Sequence, residues 1–494
     1  MKNENSNHIK MYQMKKIVIG LMMLTALQQA TAQGGNKNKK VKSTAIERKT
    51  MGAKTLPAKP NIIYILADDL GIGDVSAYGS DSNHTPIIDQ LARNGIRFQH
   101  GYTAPLCGPS RALILTGRYA FRTGAVNQDM CGNLKPSDEV MIPTVLKSAG
   151  YVTSMTGKWG QLPLNPSDFG FDDYIRFKGS GVYWSGEKAK AEIYTENGVD
   201  KELGKDYMPD LMHNHMVRWL SANKNKPFFL YYSLVEVHGK ILPTPDSKPG
   251  GNEYADNIAY MDKLVGKLLK TLDSLNLRKN TLIVFMGDNG TAGPYAKRGT
   301  IGGKQLSGKK GEMLECGGLV PTLANWPGVI APNQVSKTLI DASDLLPTFA
   351  DVAGATLPTK NILDGRSFLP QLLGQKGNPR DWIFCELGNK WYVRDGRWKL
   401  TREDELFDMI NSPFEEKLMT NYNDNREAVE AHDRLKAVLD KLNPAGGIVD
   451  DADGSGRHGA KIKAREAKKN GEENGDKKEK KDKKKKTVNQ ADGD

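Results

Sequence analysis

The stretch "NIIYILADDLGIGD", residues 61–74, decides the fold. Asn61 to Ala67 is an apolar run with β-branched residues that stops at two aspartates, so it reads as a buried strand followed by a loop. The same texture recurs along the chain. "YVTSMTGKWG" reads as a strand from about Tyr151 to Thr156 that delivers Lys158 into a loop. "PFFLYYSLVEVHG" is another apolar strand, with His238 beyond it, and "NTLIVFMGDNG" is a strand that ends at Asp288 and Asn289. Between these runs lie helical patterns. "TPIIDQLARNGIRF" reads as a short helix stopped by Gly95 and then a strand, and "YADNIAYMDKLVGKLLKTLDSL" carries apolar residues at helical spacing. Strands alternating with helices predict an α/β fold, a large mostly parallel sheet sandwiched by helices. In such sheets ligands bind beyond the carboxyl ends of the strands. Four strands therefore aim Asp68, Asp69, Lys158, His238, Asp288 and Asn289 at one edge.

The chain has 494 residues, enough for one large domain and a smaller one. After about residue 385 the pattern changes. "KWYVRDGRWKLT" reads as a hairpin turning at Asp395-Gly396, "DELFDMINSP" as a short strand and turn, and "REAVEAHDRLKAVLDKL" as an amphipathic helix. A small C-terminal antiparallel sheet with one helix follows from these. At the other end, residues 14–33 have a charged start at Lys15 and Lys16, an apolar core from Ile17 to Leu27, and Ala30-Thr31-Ala32 as a small-residue cleavage pattern. The domain reading is a signal peptide over 1–32, with Met14 as an alternative start, and a Lys-rich linker over 33–59. A catalytic α/β domain over 60–385, a subdomain over 386–445 and a disordered Lys-rich tail over 446–494 complete it. The expected product is exported, periplasmic or secreted, with no membrane span in the mature chain.

The formal net charge is +12, but the ends hold the excess. Residues 1–59 carry +10 and residues 455–494 carry +6, which leaves the body mildly acidic at −4. A nucleic-acid partner is not expected from a basic tail on an exported chain. The four cysteines, Cys107, Cys131, Cys316 and Cys385, are too few for a disulfide scaffold and match no zinc spacing.

Asp68, Asp69, Asp288 and Asn289 offer oxygen ligands alone. Three carboxylates and an amide suit a hard divalent cation, and calcium accepts many protein oxygens without strict octahedral geometry. Each pair taken singly also reads as a turn or helix cap. Arg111, Lys158, Lys310 and His238 beside such a cation would cradle a tetrahedral oxyanion, sulfate or phosphate. Cys107 fits this picture poorly as a thiol, because sulfur is a soft ligand.

The segment "CGPSRALILTGR", residues 107–118, resembles the signature of the formylglycine-dependent sulfatase family, Cys-x-Pro-Ser-Arg followed by Leu-Thr-Gly-Arg. "NIIYILADDLGIGD", "TGKWG", "FMGDNG", "KKGEMLECGGLVP", "RDGRWKL" and "ELFDMINSP" resemble further boxes of that family in the same order. The resemblance covers nearly all of residues 60–430. It implies the alkaline-phosphatase superfold and oxidation of Cys107 to formylglycine by a formylglycine-generating enzyme during export. It further implies one Ca2+ held by Asp68, Asp69, the modified Cys107, Asp288 and Asn289. Arg111 would steady the formylglycine hydrate, Asp288 would help deprotonate it, Lys158 and Lys310 would bind sulfate, and Lys310 or His238 would assist the leaving alcohol. The implied activity is hydrolysis of sulfate esters on a sulfated carbohydrate. The alternatives are a phosphatase or phosphonate monoester hydrolase of the same superfold, and a non-catalytic glycan-binding relative. Two departures stand out. Gly160 occupies the place of a histidine that the family usually carries, and His238 sits in "VEVHGKILP" instead of the usual Pro-His-x-Pro context.

Overall fold

The computed structural model describes residues 56–185 and 192–450. The expected signal peptide, the expected linker up to residue 55 and the tail beyond 450 lie outside the described residues, as do residues 186–191. No helix among the described residues is long and apolar enough to cross a membrane.

Strand β1 (Asn61–Ala67) is buried at every position. Its alternate side chains feed two cores. Ile62, Tyr64 and Leu66 belong to one, and Ile63, Ile65 and Ala67 to the other, as the two-residue period of a strand requires. Against one face pack helices α1 (Pro86–Arg93), α4 (Met208–Asn223) and α5 (Glu253–Ser274). Against the other pack α2 (Cys107–Thr116), α3 (Ile142–Ser148) and α6 (Leu345–Ala353). An unbroken apolar run is thus the right sequence for a strand covered on both sides.

β1 is flanked in parallel by β7 (Phe228–Ser233) and β8 (Thr281–Gly287). The remaining members of the ten-stranded sheet are β2 (Ile96–Tyr102), β3 (Val152–Lys158), β4 (Asp173–Phe177), β5 (Ile193–Glu196), β6 (Val199–Glu202), β11 (Thr322–Asn325) and β12 (Gln334–Asp341). The order is β12-β2-β11-β8-β1-β7-β3-β4-β5-β6, with β9 (Thr300–Ile301) and β10 (Lys304–Gln305) forming a separate small hairpin. The sheet is mostly parallel, as expected, but two parts run against it. β5 lies antiparallel to β4 and forms a hairpin with β6. β11 lies antiparallel between β2 and β8. Its direction has a simple cause. The chain leaves β8 at the carboxyl edge and re-enters with Thr322 opposite Met286 at that same edge, and the two four-residue helical turns between them are too short to carry it to the far end.

The C-terminal sheet has the order β13 (Ile383–Leu387), β14 (Lys390–Arg394), β15 (Trp398–Thr401), β16 (Leu406–Asp408), β17 (Lys417–Leu418), antiparallel throughout. Helix α7 (Arg426–Leu442) carries Ala428, Ala431, Leu435 and Leu439 into the same core as β15. The expected β14–β15 hairpin and helix α7 are both present.

β3 runs two residues further than its apolar pattern suggests and takes Lys158 into the sheet. Gly157 allows this. Its φ is +113°, and a Cβ there would stand 1.7 Å from the Ser233 carbonyl oxygen. Gly157→Ala is expected to lower stability by more than about 1 kcal/mol, the scale for a side chain forced into a left-handed position. Denaturant unfolding checks this, and an unchanged midpoint would contradict it.

Candidate active site

The register of β1 with β8 builds the centre of the site. Ala67 pairs with Gly287, so Asp68 and Asp69 leave β1 beside Asp288 and Asn289 leaving β8. The main-chain N–H of Asp288 donates to the Ala67 carbonyl at 2.9 Å. The N–H of Asp69 donates to Asp288 Oδ1 at 3.0 Å, and the Asn289 amide donates to Asp69 Oδ1 at 3.0 Å. All four residues are buried.

Cys107 is the first residue of α2, at 1 % exposure. Arg111 sits one turn on, wholly buried. Its guanidinium donates to Asp288 Oδ2 at 2.8 Å, to the Lys158 carbonyl at 2.9 Å and to Ser233 Oγ at 2.5 Å. Lys158 Nζ, also wholly buried, reaches Asp68 Oδ2 at 2.6 Å. Lys310 Nζ stands 2.5 Å and 2.7 Å from the two oxygens of Asp69, and His238 Nε2 lies 3.9 Å from Asp69 Oδ2. His238 Nδ1 faces the Gly239 carbonyl. A carbonyl only accepts, so Nδ1 carries a proton and Nε2 is the nitrogen free to exchange one. Every residue named from the sequence for this site is thus brought to one sheet edge.

The electrostatics follow from burial and pairing. Burial pushes the Asp68 carboxyl up, but Lys158, with His238 and Arg111, overrides it and holds Asp68 below the usual carboxylate range. Burial and the Asp68 charge push Asp288 the other way, above that range, against Arg111 and Lys158. Burial works against the charge of Lys158, and Asp68 and the Cys107 thiol more than restore it. Burial likewise opposes the charge of Lys310, and Asp69 overrides it. The site is a buried lattice of alternating charge in which the acids crowd one point.

That point fits a hard cation. Asp68, Cys107 and Asp288 present ligand atoms within 4.8 Å of one another. Asp68 Oδ1 and Asn289 Oδ1 are buried without a hydrogen-bond partner. Buried acceptors left open in this way are costly unless something positive meets them.

The sulfatase family model matches residues 60–355. The chain belongs to the sulfatase family. As a sulfatase it is a sulfuric ester hydrolase. It is 34 % identical over 357 residues to N-acetylgalactosamine-6-sulfatase of Homo sapiens, a match covering 65 % of this chain and 67 % of that one. It is 34 % identical over 383 residues to arylsulfatase A of Homo sapiens, covering 69 % and 74 %. The chain thus spans about two thirds to three quarters of the length of these relatives. The crystal structure of Ps i-CgsB in complex with k-i-k-neocarrahexaose superposes with a TM-score of 0.69 at 29 % identity, covering 81 % of this chain and 96 % of that one.

Three neighbours of this sulfatase site are not legible in its sequence. Gln128 Nε2 donates to Cys107 Sγ at 3.2 Å, and its Oε1 accepts from the Gly108 N–H at 3.1 Å. Gln161 Oε1 lies 3.8 Å from Cys107 Sγ. Two carboxamides therefore flank the thiol, one from a loop with no recognisable motif and one just past the "TGKWG" box. Glu236 is wholly buried, with no side-chain partner, and burial pushes its carboxyl up to about 8. No spacing rule marks any of the three. Gly160, with φ +74°, lies against Arg111 and Lys158, and a Cβ there would be 3.1 Å from Arg111 Cδ.

Lys158→Met removes the partner of a wholly buried carboxylate. In the presence of a metal chelator, this variant is expected to lose roughly 3–5 kcal/mol of stability, the usual cost of an orphaned buried charge. Denaturant unfolding in chelator measures it, and a change below about 1 kcal/mol would mean that Asp68 finds its compensation elsewhere.

Proposed function

We propose that this sulfatase acts through a formylglycine made from Cys107 and a calcium ion held by Asp68, Asp69, Asp288, Asn289 and the modified residue 107. The observation that carries the reading is the placement of a buried thiol at the start of α2, with its sulfur within 4.8 Å of a carboxylate oxygen of Asp68 and of Asp288. Sulfur is a poor ligand for a cation that such oxygens select, whereas an oxygen at the same position is a good one. When present, the hydrated aldehyde supplies an oxygen nucleophile and the calcium ion supplies positive charge to the sulfate oxygens.

The chain's own residues prepare the rest. Arg111 is locked by Asp288, the Lys158 carbonyl and Ser233, so it can hold a hydroxyl at position 107 without moving. Asp288, held above the usual carboxylate range, is the group to receive a proton from that hydroxyl. Lys158 and Lys310 stay charged beside Asp68 and Asp69 and neutralise a tetrahedral dianion. Lys310, or His238 through Nε2, gives a proton to the departing alcohol. Gln128 and Gln161 orient the group at position 107 but cannot act as bases, because a carboxamide does not titrate in this range.

The substrate is a sulfated carbohydrate. N-acetylgalactosamine 6-sulfate units are the first to test, given the activity in the names of the mammalian relatives. Export through the N-terminal leader, ending in the periplasm or outside the cell, belongs to the same proposal, as does modification of Cys107 by a formylglycine-generating enzyme on the way.

Cys107→Ala is expected to reduce sulfate release to background while the protein stays folded, read by a cooperative unfolding transition; retained turnover would sink the nucleophile assignment. Asp288→Ala is expected to lose both bound metal, read by elemental analysis, and activity. Unchanged metal content would remove Asp288 from the ligand set. Chelation of the wild-type protein should abolish turnover, and calcium should restore it.

A further inference from the structure

A cavity of about 520 Å³ opens between the edge of the large sheet and the hairpin of the small one. None of the residues assigned to the catalytic site lines it. Its wall carries Arg97, His100, Lys337, Arg394 and Arg397, and no aspartate or glutamate. A cleft lined by one sign of charge focuses its field and gathers counter-ions.

Two of these cations are spoken for. Arg394 is held by Glu315, and Arg397 by Asp408 at 2.9 Å and Glu427 at 2.8 Å. Arg97 and Lys337 have no ion-pair partner among the described residues. Arg97 projects from β2 with its guanidinium over the Tyr78 ring, 5.0 Å from the centroid. Lys337 owes its position to an irregularity in the sheet. β12 pairs Ser336 with Phe98 and Leu339 with His100, so it holds one residue more than β2 over this step, and Lys337 lies in that bulge. Bulges re-aim side chains in this way. His100 lines the same cavity, with Nδ1 buried and unpartnered. Burial, followed by Arg394 and Lys337, pushes its imidazole below the usual range, with Glu315 opposing.

The other walls are apolar or neutral. Tyr78, Phe414 and Ile410 contribute surface, and Ile410 is 66 % exposed. Gln99 and Ser412 add hydrogen-bonding groups. The space is several times that of an inorganic anion and falls in the range of small-molecule sites, roughly 300–1,000 Å³. Free cations beside aromatic and aliphatic faces suit a ring-shaped ligand that carries an acid group.

We propose that this cavity is a second, non-catalytic binding site for an anionic saccharide, with Arg97 and Lys337 pairing its sulfate or carboxylate. That the ligand is a saccharide rests on the carbohydrate substrate proposed above; that it is an anion rests on the cavity alone. A site of this kind would hold a polymeric substrate while the catalytic site works on another unit, raising effective concentration at the nucleophile.

The test uses the full chain carrying Cys107→Ala, so that nothing is turned over. Binding of hexasaccharides of chondroitin 6-sulfate, heparan sulfate and carrageenan, and of inorganic sulfate, is measured by calorimetry with and without Arg97→Ala and Lys337→Ala. At least one hexasaccharide is expected to lose tenfold or more in affinity when both cations are removed. The same double substitution in the protein with native Cys107 should leave turnover of 4-nitrophenyl sulfate within twofold. Hexasaccharide binding that is indifferent to Arg97 and Lys337 would overturn the proposal. Inorganic sulfate binding as tightly as the saccharides, with the same dependence on both cations, would overturn the saccharide assignment and leave a site for free anions. The two readings fail separately, because loss of the sulfatase reading shows as absent turnover by the native protein and not as a change at the cavity.

Discussion

The pairing of Lys158 with Asp68, two wholly buried opposite charges 2.6 Å apart, is the constraint around which the rest is arranged. A lone charge at either position would carry a desolvation penalty of several kcal/mol. The pair exists because β1 and β3 flank β7 in parallel register and end at the same edge. Arg111 extends the pattern by joining Asp288 to the carbonyl of Lys158, and Lys310 closes it on Asp69. The two cores on either side of β1 hold these strand ends still. Rigidity of the apolar scaffold and high charge density at its edge are thus two sides of one construction.

The arrangement is unbalanced by design of its chemistry. Asp68 is held low and Asp288 high because both carboxylates crowd one point that the protein's own cations reach only from outside. Oδ1 of Asp68 is left without a hydrogen-bond partner there, and Oδ1 of Asn289 is likewise open. A hard cation relieves all of these at once. The thiol of Cys107 is the member that does not belong, and the proposed conversion to an oxygen-bearing group would resolve the mismatch.

Much of this was legible in the chain. Continuous apolar runs ending in acids, at Asp68 and at Asp288, identify buried parallel strands and place the acids at the carboxyl edge. The helix that Gly95 stops, the hairpin at Asp395-Gly396 and helix α7 follow from local turn and periodicity rules. What was not legible depends on long-range return of the chain. β11 is four residues long, and its antiparallel insertion between β2 and β8 comes from where the loop after Asn289 re-enters. Gln128 and Gln161 reach Cys107 from segments 21 and 54 residues away in the chain. The bulge that aims Lys337 is a property of strand pairing, which no single segment encodes. Gly160 illustrates both sides. Its identity is visible at once, while its position against Arg111 and Lys158 required the fold.

The central claim is that Cys107 is a precursor and not a working thiol. Mass spectrometry of the tryptic peptide from Phe98 to Arg111, taken from protein made in its natural host, tests it most directly. The account predicts formylglycine at position 107 in the active protein. An intact cysteine in a preparation that turns over sulfate esters would contradict it.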